Sequence, residues 1–167
     1  MKKKTFYDEI IIGFVVIIGI GLFQAYEFQQ SSVQPLELAM SHLDRILVSS
    51  DSYTILSDIE LVKQNVPNKG NPVFIYPTDS TDFGKMQQDL DSMIAIVEKT
   101  QTVPSDSSAF HTGMGALGDR ALVLKENLGD AKPYLYADIS NVFFNAIWLL
   151  GTIGLVETLI RKSESIF

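Results

Sequence analysis

Two apolar segments, one near each end of the chain, constrain its fold more than any other feature. Residues 10–23 contain no charged side chain, and residues 142–160 contain a single one, Glu157. The hydrocarbon core of a bilayer is spanned by ~20 mostly apolar residues in a helix. The sequence therefore predicts two membrane-spanning helices, over residues 10–26 and 139–160.

Basic residues directly flank each apolar segment only on the side that faces the nearer chain terminus. Lys2, Lys3 and Lys4 precede the first segment, and Arg161 and Lys162 follow the second. Because Lys and Arg in short flanks remain in the cytoplasm, both termini are predicted to be cytoplasmic. The predicted order along the chain is a cytoplasmic tail (1–9), a span (10–26), an extracytoplasmic domain (27–138), a second span (139–160) and a cytoplasmic tail (161–167).

A charged start followed by an apolar stretch is also typical of a cleaved secretory signal peptide. Cleavage requires small residues around the cut site, whereas the first segment ends in Phe23-Gln24-Ala25. We therefore expect an uncleaved signal anchor that remains in the membrane.

Charge and composition narrow the classes of partner. The chain carries a net charge of −7, and Asp and Glu outnumber Lys and Arg within residues 27–138. An acidic domain repels the phosphates of nucleic acids and the headgroups of anionic lipids, so no nucleic-acid partner is expected. The chain has no cysteine, which excludes disulfides and thiolate metal sites.

Helical periodicity dominates the segment between the two predicted spans. Apolar residues recur there at spacings of three and four, which predicts helices that each bury one face. The four predicted stripes are Leu36, Met40, Leu43 and Leu47; Ile55, Ile59, Val62 and Val66; Phe83, Met86, Leu90, Met93 and Val97; and Phe110, Met114, Leu117, Ala121, Leu124 and Leu128. A turn cluster at residues 49–52 predicts a break between the first two stripes; the alternative is one helix over residues 35–65.

The end of the fourth striped helix is predicted from glycine and proline. Gly129 is expected to end that helix, since glycine favours the position just after a helix C-terminus. Pro133 is then expected to begin a last helix that continues into the second span. Together these features predict an all-α membrane protein in which two transmembrane helices bracket a small extracytoplasmic helical bundle.

An apolar run interrupts the helical pattern within residues 65–82. Three prolines punctuate this segment, and Val73, Phe74, Ile75 and Tyr76 follow one another inside it. A loop of this length usually has a role, and four apolar side chains are costly to leave in water. We predict that the loop docks a partner; the alternative is that it folds back over its own bundle.

Three glycines, Gly113, Gly115 and Gly118, lie within the fourth stripe. They do not follow a strand, so a nucleotide-binding loop is not expected. Each glycine costs roughly 0.5–1 kcal/mol in a helix. The two explanations are close approach of another helix and plain local weakness of this one.

Polar and small residues mark the second predicted span. Asn145, near the outer interface, can hydrogen-bond a neighbouring helix. Gly154 and Thr158 are small residues four apart, which permit close helix contact. Glu157 stands four residues before Arg161, so an ion pair across one helical turn is expected.

No catalytic, cofactor or metal motif accompanies these features. His42 and His111 are the only two histidines and share no ligand spacing. We therefore expect a non-catalytic protein without a cofactor. The layout alone resembles the sensor half of chemoreceptors and histidine kinases, but only a short tail follows the second span, and no output domain is expected.

These features favour a non-catalytic accessory or structural subunit of a larger integral-membrane complex, for example a membrane-bound oxidase, oxygenase or respiratory assembly. Its spans are expected to pack on other integral-membrane subunits within the lipid bilayer, and its bundle to cap their outer face. The predicted contact residues are Val73, Phe74, Ile75, Tyr76, Gly113, Gly115, Gly118, Asn145 and Gly154. The alternative is an extracytoplasmic helical module that senses or binds a ligand and lacks its own output domain.

Overall fold

The computed structural model describes the backbone of residues 2–136 and 139–164 and the side chains of residues 11–136 and 141–161. The described chain is helical and contains no strand, as predicted. Its helices are α1 (Lys2–Phe28), α2 (Gln34–Val48), α3 (Ser52–Asn65), α4 (Phe83–Gln101), α5 (Ser108–Leu135) and α6 (Ile139–Glu164), with a π-helical turn at Gln29–Val33 and a 3₁₀ turn at Asp79–Thr81. The chain divides into two compact units, one built from α1 and α6 and the other from α2 to α5.

The first unit contains the two apolar helices. The helix that includes α1 and the helix α6 are both long and apolar enough to cross a membrane. Most of their large described apolar side chains are exposed. The predicted orientation of these helices depends on the side chains of Lys2, Lys3, Lys4 and Lys162, which lie outside the described residues.

The second unit is a four-helix bundle. α2 packs against α3 and α5, and α4 packs against the same two helices, so the four helices form a closed ring. Short connections, residues 49–51 and 102–107, join two of the neighbouring pairs. Such short connections are typical of antiparallel neighbours.

Ion pairs between α5 and α2 give the relative direction of these two helices. Lys125 Nζ lies 2.5 Å from Asp44 Oδ1, and Lys132 Nζ lies 2.5 Å from Glu37 Oε1. Residue numbers thus rise along one helix as they fall along the other, so α2 and α5 are antiparallel. These pairs are partly exposed and add little stability, but they define which residues lie at each end of the bundle.

Side-chain contacts also give the relative direction of α3 and α4. Lys63 Nζ lies 2.6 Å from Asp91 Oδ1, and Gln87 Nε2 donates a hydrogen bond of 2.8 Å to the carbonyl of Val66. The hydrogen bond to Asp91 holds the pKa of Lys63 above its ordinary value. α3 and α4 are therefore antiparallel as well, and the bundle runs up and down in chain order.

One apolar cluster fills the centre of the bundle. The stripes predicted for α3 and α4 are buried throughout, and the stripe of α5 is buried in its C-terminal part. The buried members of these three stripes are Ile55, Ile59, Val62, Val66, Phe83, Met86, Leu90, Met93, Val97, Leu117, Ala121, Leu124 and Leu128. Met114 packs at the edge of the cluster.

The buried face of α2 differs from the predicted one. Leu43 is buried as predicted, but Ala39 and Ile46 belong to the same stripe, whereas Leu47 is 38% exposed. The 4-3-4 spacing of Leu36, Met40, Leu43 and Leu47 had placed Leu47 on the apolar face. Ala39 and Ile46 occupy the buried face instead.

The predicted break between the first two stripes is confirmed. α2 ends at Val48 and α3 begins at Ser52, with Asp51 as the N-terminal cap whose carboxylate accepts a hydrogen bond of 2.9 Å from the Thr54 amide. Hydrogen bonds from the Thr54 hydroxyl and amide hold the pKa of Asp51 below its ordinary value. The ionised cap therefore stabilises α3 at neutral pH, and this contribution is lost as the pH falls through the lowered pKa.

The predicted end of the fourth striped helix at Gly129 is wrong. α5 continues to Leu135, and Pro133 lies inside it rather than at the start of a new helix. Leu128 and Ala131, on either side of the glycine, are fully buried in the core. Burial of a large apolar side chain stabilises by ~1.5–3 kcal/mol, which exceeds the cost of about 1 kcal/mol for one glycine in a helix.

Candidate functional site

The loop between α3 and α4 is closed at its base by one asparagine. Asn71 donates a hydrogen bond of 2.8 Å to the carbonyl of Thr78, and its side-chain oxygen accepts bonds from the amide of Val73 (3.0 Å) and the hydroxyl of Thr81 (2.9 Å). The amide of Phe83 also donates to the carbonyl of Gly70, at 2.9 Å. The two ends of the loop are therefore held together next to the start of α4.

Beyond this closed base, Phe74, Ile75 and Tyr76 form an exposed apolar group, here called the loop tip. Their exposed fractions are 58%, 62% and 87%, while Val73 is half-buried and Pro72 is buried. The three tip residues therefore do not fold back over the bundle, whereas Pro72 and Thr81 of the same loop are buried. Docking of a partner by this loop stays a prediction.

The backbone at the loop tip is strained. Tyr76 has a φ of 63°, a left-handed conformation that costs a residue with a large side chain roughly 1–2 kcal/mol. Strained residues of this kind persist where the surrounding structure holds them and are common at functional positions. The closed base and the strain at Tyr76 together indicate a loop with a defined shape.

The three glycines of α5 have different surroundings. A Cβ atom added to Gly113 would lie 2.7 Å from Thr100 Oγ1, so this glycine lets α4 and α5 approach closely. Nothing lies within 4 Å of a Cβ added to Gly115 or Gly118. Close approach therefore explains Gly113 within the bundle, whereas Gly115 and Gly118 leave open space on the surface of α5.

The two apolar helices contact each other through glycines on α1. The indole Nε1 of Trp148 donates a hydrogen bond of 3.0 Å to the carbonyl of Ile17, and a Cβ added to Gly21 would lie 3.3 Å from the same nitrogen. A Cβ added to Gly13 would likewise lie 3.2 Å from Cδ1 of Leu155. A larger side chain at either glycine would force these neighbours to shift.

Other polar and small residues of α6 lie away from this contact. Asn145 is exposed, and nothing lies within 4 Å of a Cβ added to Gly154. The predicted pair across one turn is confirmed, because Arg161 Nη2 lies 2.5 Å from Glu157 Oε1. The structure thus brings Glu157 and Arg161 together and leaves Asn145 and Gly154 on open surface.

A buried carboxylate is the feature of the bundle that the sequence patterns did not predict. Asp58 of α3 is fully buried, and its Oδ1 accepts a hydrogen bond of 2.9 Å from Nδ1 of His42 on α2. Arg45 Nε lies 3.3 Å from Oδ2, but this contact lacks the geometry of a hydrogen bond, and Oδ2 is otherwise without a partner among the described residues. Its position in the sequence could have indicated this burial, since Asp58 stands three residues after Ile55 and four before Val62 and therefore lies on the buried stripe.

No protein-family model, curated protein or solved structure matches this chain. Among the residues that the structure describes, no group of three or more His, Cys, Asp or Glu side chains could hold a metal ion. The exposed apolar and polar surfaces described above are therefore the features that bear on function.

Proposed function

We propose that this chain is a membrane protein with two spans, cytoplasmic termini and a four-helix bundle on the extracytoplasmic side. The length and apolar composition of α1 and α6 support this placement. The basic residues that flank the two apolar segments only toward the chain ends support the orientation.

Within this placement, we propose that the chain acts as a non-catalytic accessory subunit of a larger integral-membrane complex. Exposed Asn145 on α6 is the observation that carries this proposal. A polar amide that faces hydrocarbon is costly, and a neighbouring transmembrane helix can supply its hydrogen-bond partner. Gly154 lies nine residues further along α6 and therefore on its opposite face, where its open surface lets a second helix approach closely.

The bundle gives the accessory subunit a rigid extracytoplasmic part. On α5, Gly115 and Gly118 leave open surface, and Leu122 on the same helix is 49% exposed. This side of α5 is available to contact the outer part of a host complex. A ligand-binding module would need free space inside the bundle, whereas its centre is filled by the apolar cluster, so we prefer the accessory role.

Replacement of Asn145 by leucine is expected to weaken association with the host complex. A hydrogen bond between transmembrane helices contributes on average ~0.6 and at most ~1.7 kcal/mol, so we expect about fivefold weaker association for a loss of about 1 kcal/mol. The measurement is extraction of native membranes in mild detergent, followed by native gels and identification of the proteins that migrate with the chain.

The matched control for Asn145→Leu is Ile147→Leu, a change at an exposed apolar position of the same helix. The control variant should remain in the complex as the wild type does. Migration of the wild-type chain as a free small protein under all mild conditions would contradict the accessory role.

A further inference from the structure

The loop tip lies at a particular end of the bundle. α2 begins at Gln34 and α5 ends at Leu135, and the ion pair between Glu37 and Lys132 brings these two helix ends together. We call this the exit end, because there the chain leaves the bundle toward α1 in one direction and toward α6 in the other. α3 ends and α4 begins at the same end, because each is antiparallel to its neighbours in the ring.

The surroundings of the loop base place it at this end independently. An open hollow in the surface of the bundle is lined by Ser31 of the π-helical turn, by Pro35 at the start of α2, and by Val66, Pro67 and Asn68 after α3. The α3–α4 loop therefore adjoins the start of α2. Its exposed tip therefore lies at the exit end, and the connections 49–51 and 102–107 lie at the opposite end of the bundle.

The exit end is the part of the bundle closest along the chain to both apolar helices. The π-helical turn Gln29–Val33 separates α1 from α2, and only residues 136–138 separate α5 from α6. Along the chain, this end of the bundle is therefore the one that adjoins both segments proposed to cross the membrane.

We propose that the loop tip inserts into the interfacial layer of the bilayer that α1 and α6 cross, where it contacts neutral, zwitterionic lipid. This inference rests on the membrane placement proposed above. It concerns a lipid contact of the bundle, which is separate from the contact of α6 with other subunits.

The chemistry of the loop tip fits this layer. Residues 70–78 contain no charged side chain, so insertion does not require a charge to leave water. Aromatic residues prefer the membrane interface, because the ring of Tyr76 can be buried among lipid while its hydroxyl reaches the hydrated headgroups. The acidic character of the bundle disfavours anionic lipid, which is the reason that neutral lipid is proposed.

The loop is also preorganised for such a contact. Asn71 closes the base with three hydrogen bonds, and Pro72 next to it is buried. A loop with a defined shape loses little conformational entropy when its tip is buried. For a flexible loop of the same composition, the entropy cost of fixing its conformation would offset part of the free energy gained by burial.

Exposure alone does not distinguish the loop tip from the rest of the bundle. Tyr53, in the first turn of α3, is 79% exposed, nearly as much as Tyr76. It lies at the opposite end of the bundle, next to the connection between α2 and α3. The two tyrosines therefore form a matched pair that differs in position but not in residue type.

The absence of cysteine from the chain allows a direct test with single labels. Three variants of the full chain, Tyr76→Cys, Tyr53→Cys and Ile147→Cys, are each labelled with the same environment-sensitive fluorophore and reconstituted into phosphatidylcholine vesicles. Lipid carrying a spin-label quencher reports contact with the bilayer, and iodide reports contact with water. Circular dichroism verifies that each variant keeps the helical content and melting temperature of the wild type.

The proposal predicts blue-shifted emission and strong lipid quenching at residues 76 and 147, with iodide quenching at residue 53. Lipid quenching at 147 together with iodide quenching at 76 would overturn this inference and leave the membrane placement intact. Iodide quenching at 147 would overturn the placement itself, and this inference with it. A label at 76 that iodide reaches in pure vesicles but not in native membranes would show that the loop docks a protein, and the lipid contact would be wrong.

Discussion

Replacement of His42 by leucine is expected to destabilise the bundle by about 3 kcal/mol. Within the described part of the chain, the Nδ1 atom of His42 provides the one hydrogen bond to the buried carboxylate of Asp58. Removal of one member of a buried pair leaves an uncompensated charge and typically costs ~3–5 kcal/mol. We expect the lower end of that range because Arg45 Nε still lies 3.3 Å from Asp58 Oδ2.

The chain contains its own controls for this experiment. His111 is exposed, and His111→Leu should change the free energy of unfolding by less than about 0.5 kcal/mol. The double variant His42→Leu/Asp58→Leu replaces both partners by apolar groups and should recover most of the lost stability. Thermal unfolding of the full chain in detergent, followed by circular dichroism, measures all three, and equal melting of His42→Leu and His111→Leu would contradict a structural role for the buried pair.

Replacement of Leu124 by alanine is expected to cost ~2–5 kcal/mol of bundle stability. Leu124 is almost completely buried in the apolar cluster, so truncation removes its contacts and leaves a cavity between helices. The predicted loss is a large part of the stability of a small domain. The measurement is the free energy of unfolding by denaturant, with the slope of the transition used to verify that the folded state is retained.

Leu122 provides the comparison on the same helix. It is 49% exposed, so Leu122→Ala removes few buried contacts and should cost less than about 1 kcal/mol. An equal loss for Leu122→Ala and Leu124→Ala would show that the buried face of α5 has been assigned incorrectly.

The helical elements were predictable because their apolar spacing is regular. In α4, Phe83, Met86, Leu90, Met93 and Val97 keep one phase throughout, and all five are buried. The break after α2 was predictable because serines and an aspartate favour turns and helix caps, and Asp51 is the cap of α3.

The errors arose where tertiary packing overrides local preference. Gly129 and Pro133 favour the end of a helix, but α5 continues to Leu135. Leu128 and Ala131 are buried on either side of Gly129, and Leu135 beyond Pro133 packs against the same cluster. In α2 the buried position is occupied by Ile46 rather than Leu47, a shift of one residue that spacing alone did not resolve.

Parts of the candidate sites could be predicted only in outline. The apolar run that contains Phe74 was evident, but its exposure depends on the fold of residues 66–82 and on the hydrogen bonds of Asn71. The pair of Asp58 and His42 was not predicted, because its members lie 16 residues apart on two helices. The spacing of Asp58 on the buried stripe was the one signal that could have indicated it.

Accessibility of single cysteines measures the orientation of the chain in the membrane. Ser107→Cys lies between α4 and α5 in the bundle, and Ser163→Cys lies at the end of α6. A membrane-impermeant thiol reagent added to sealed cells should label residue 107 at once and residue 163 only after the cells are permeabilised. Equal labelling of both residues before permeabilisation would contradict an extracytoplasmic bundle between two membrane spans.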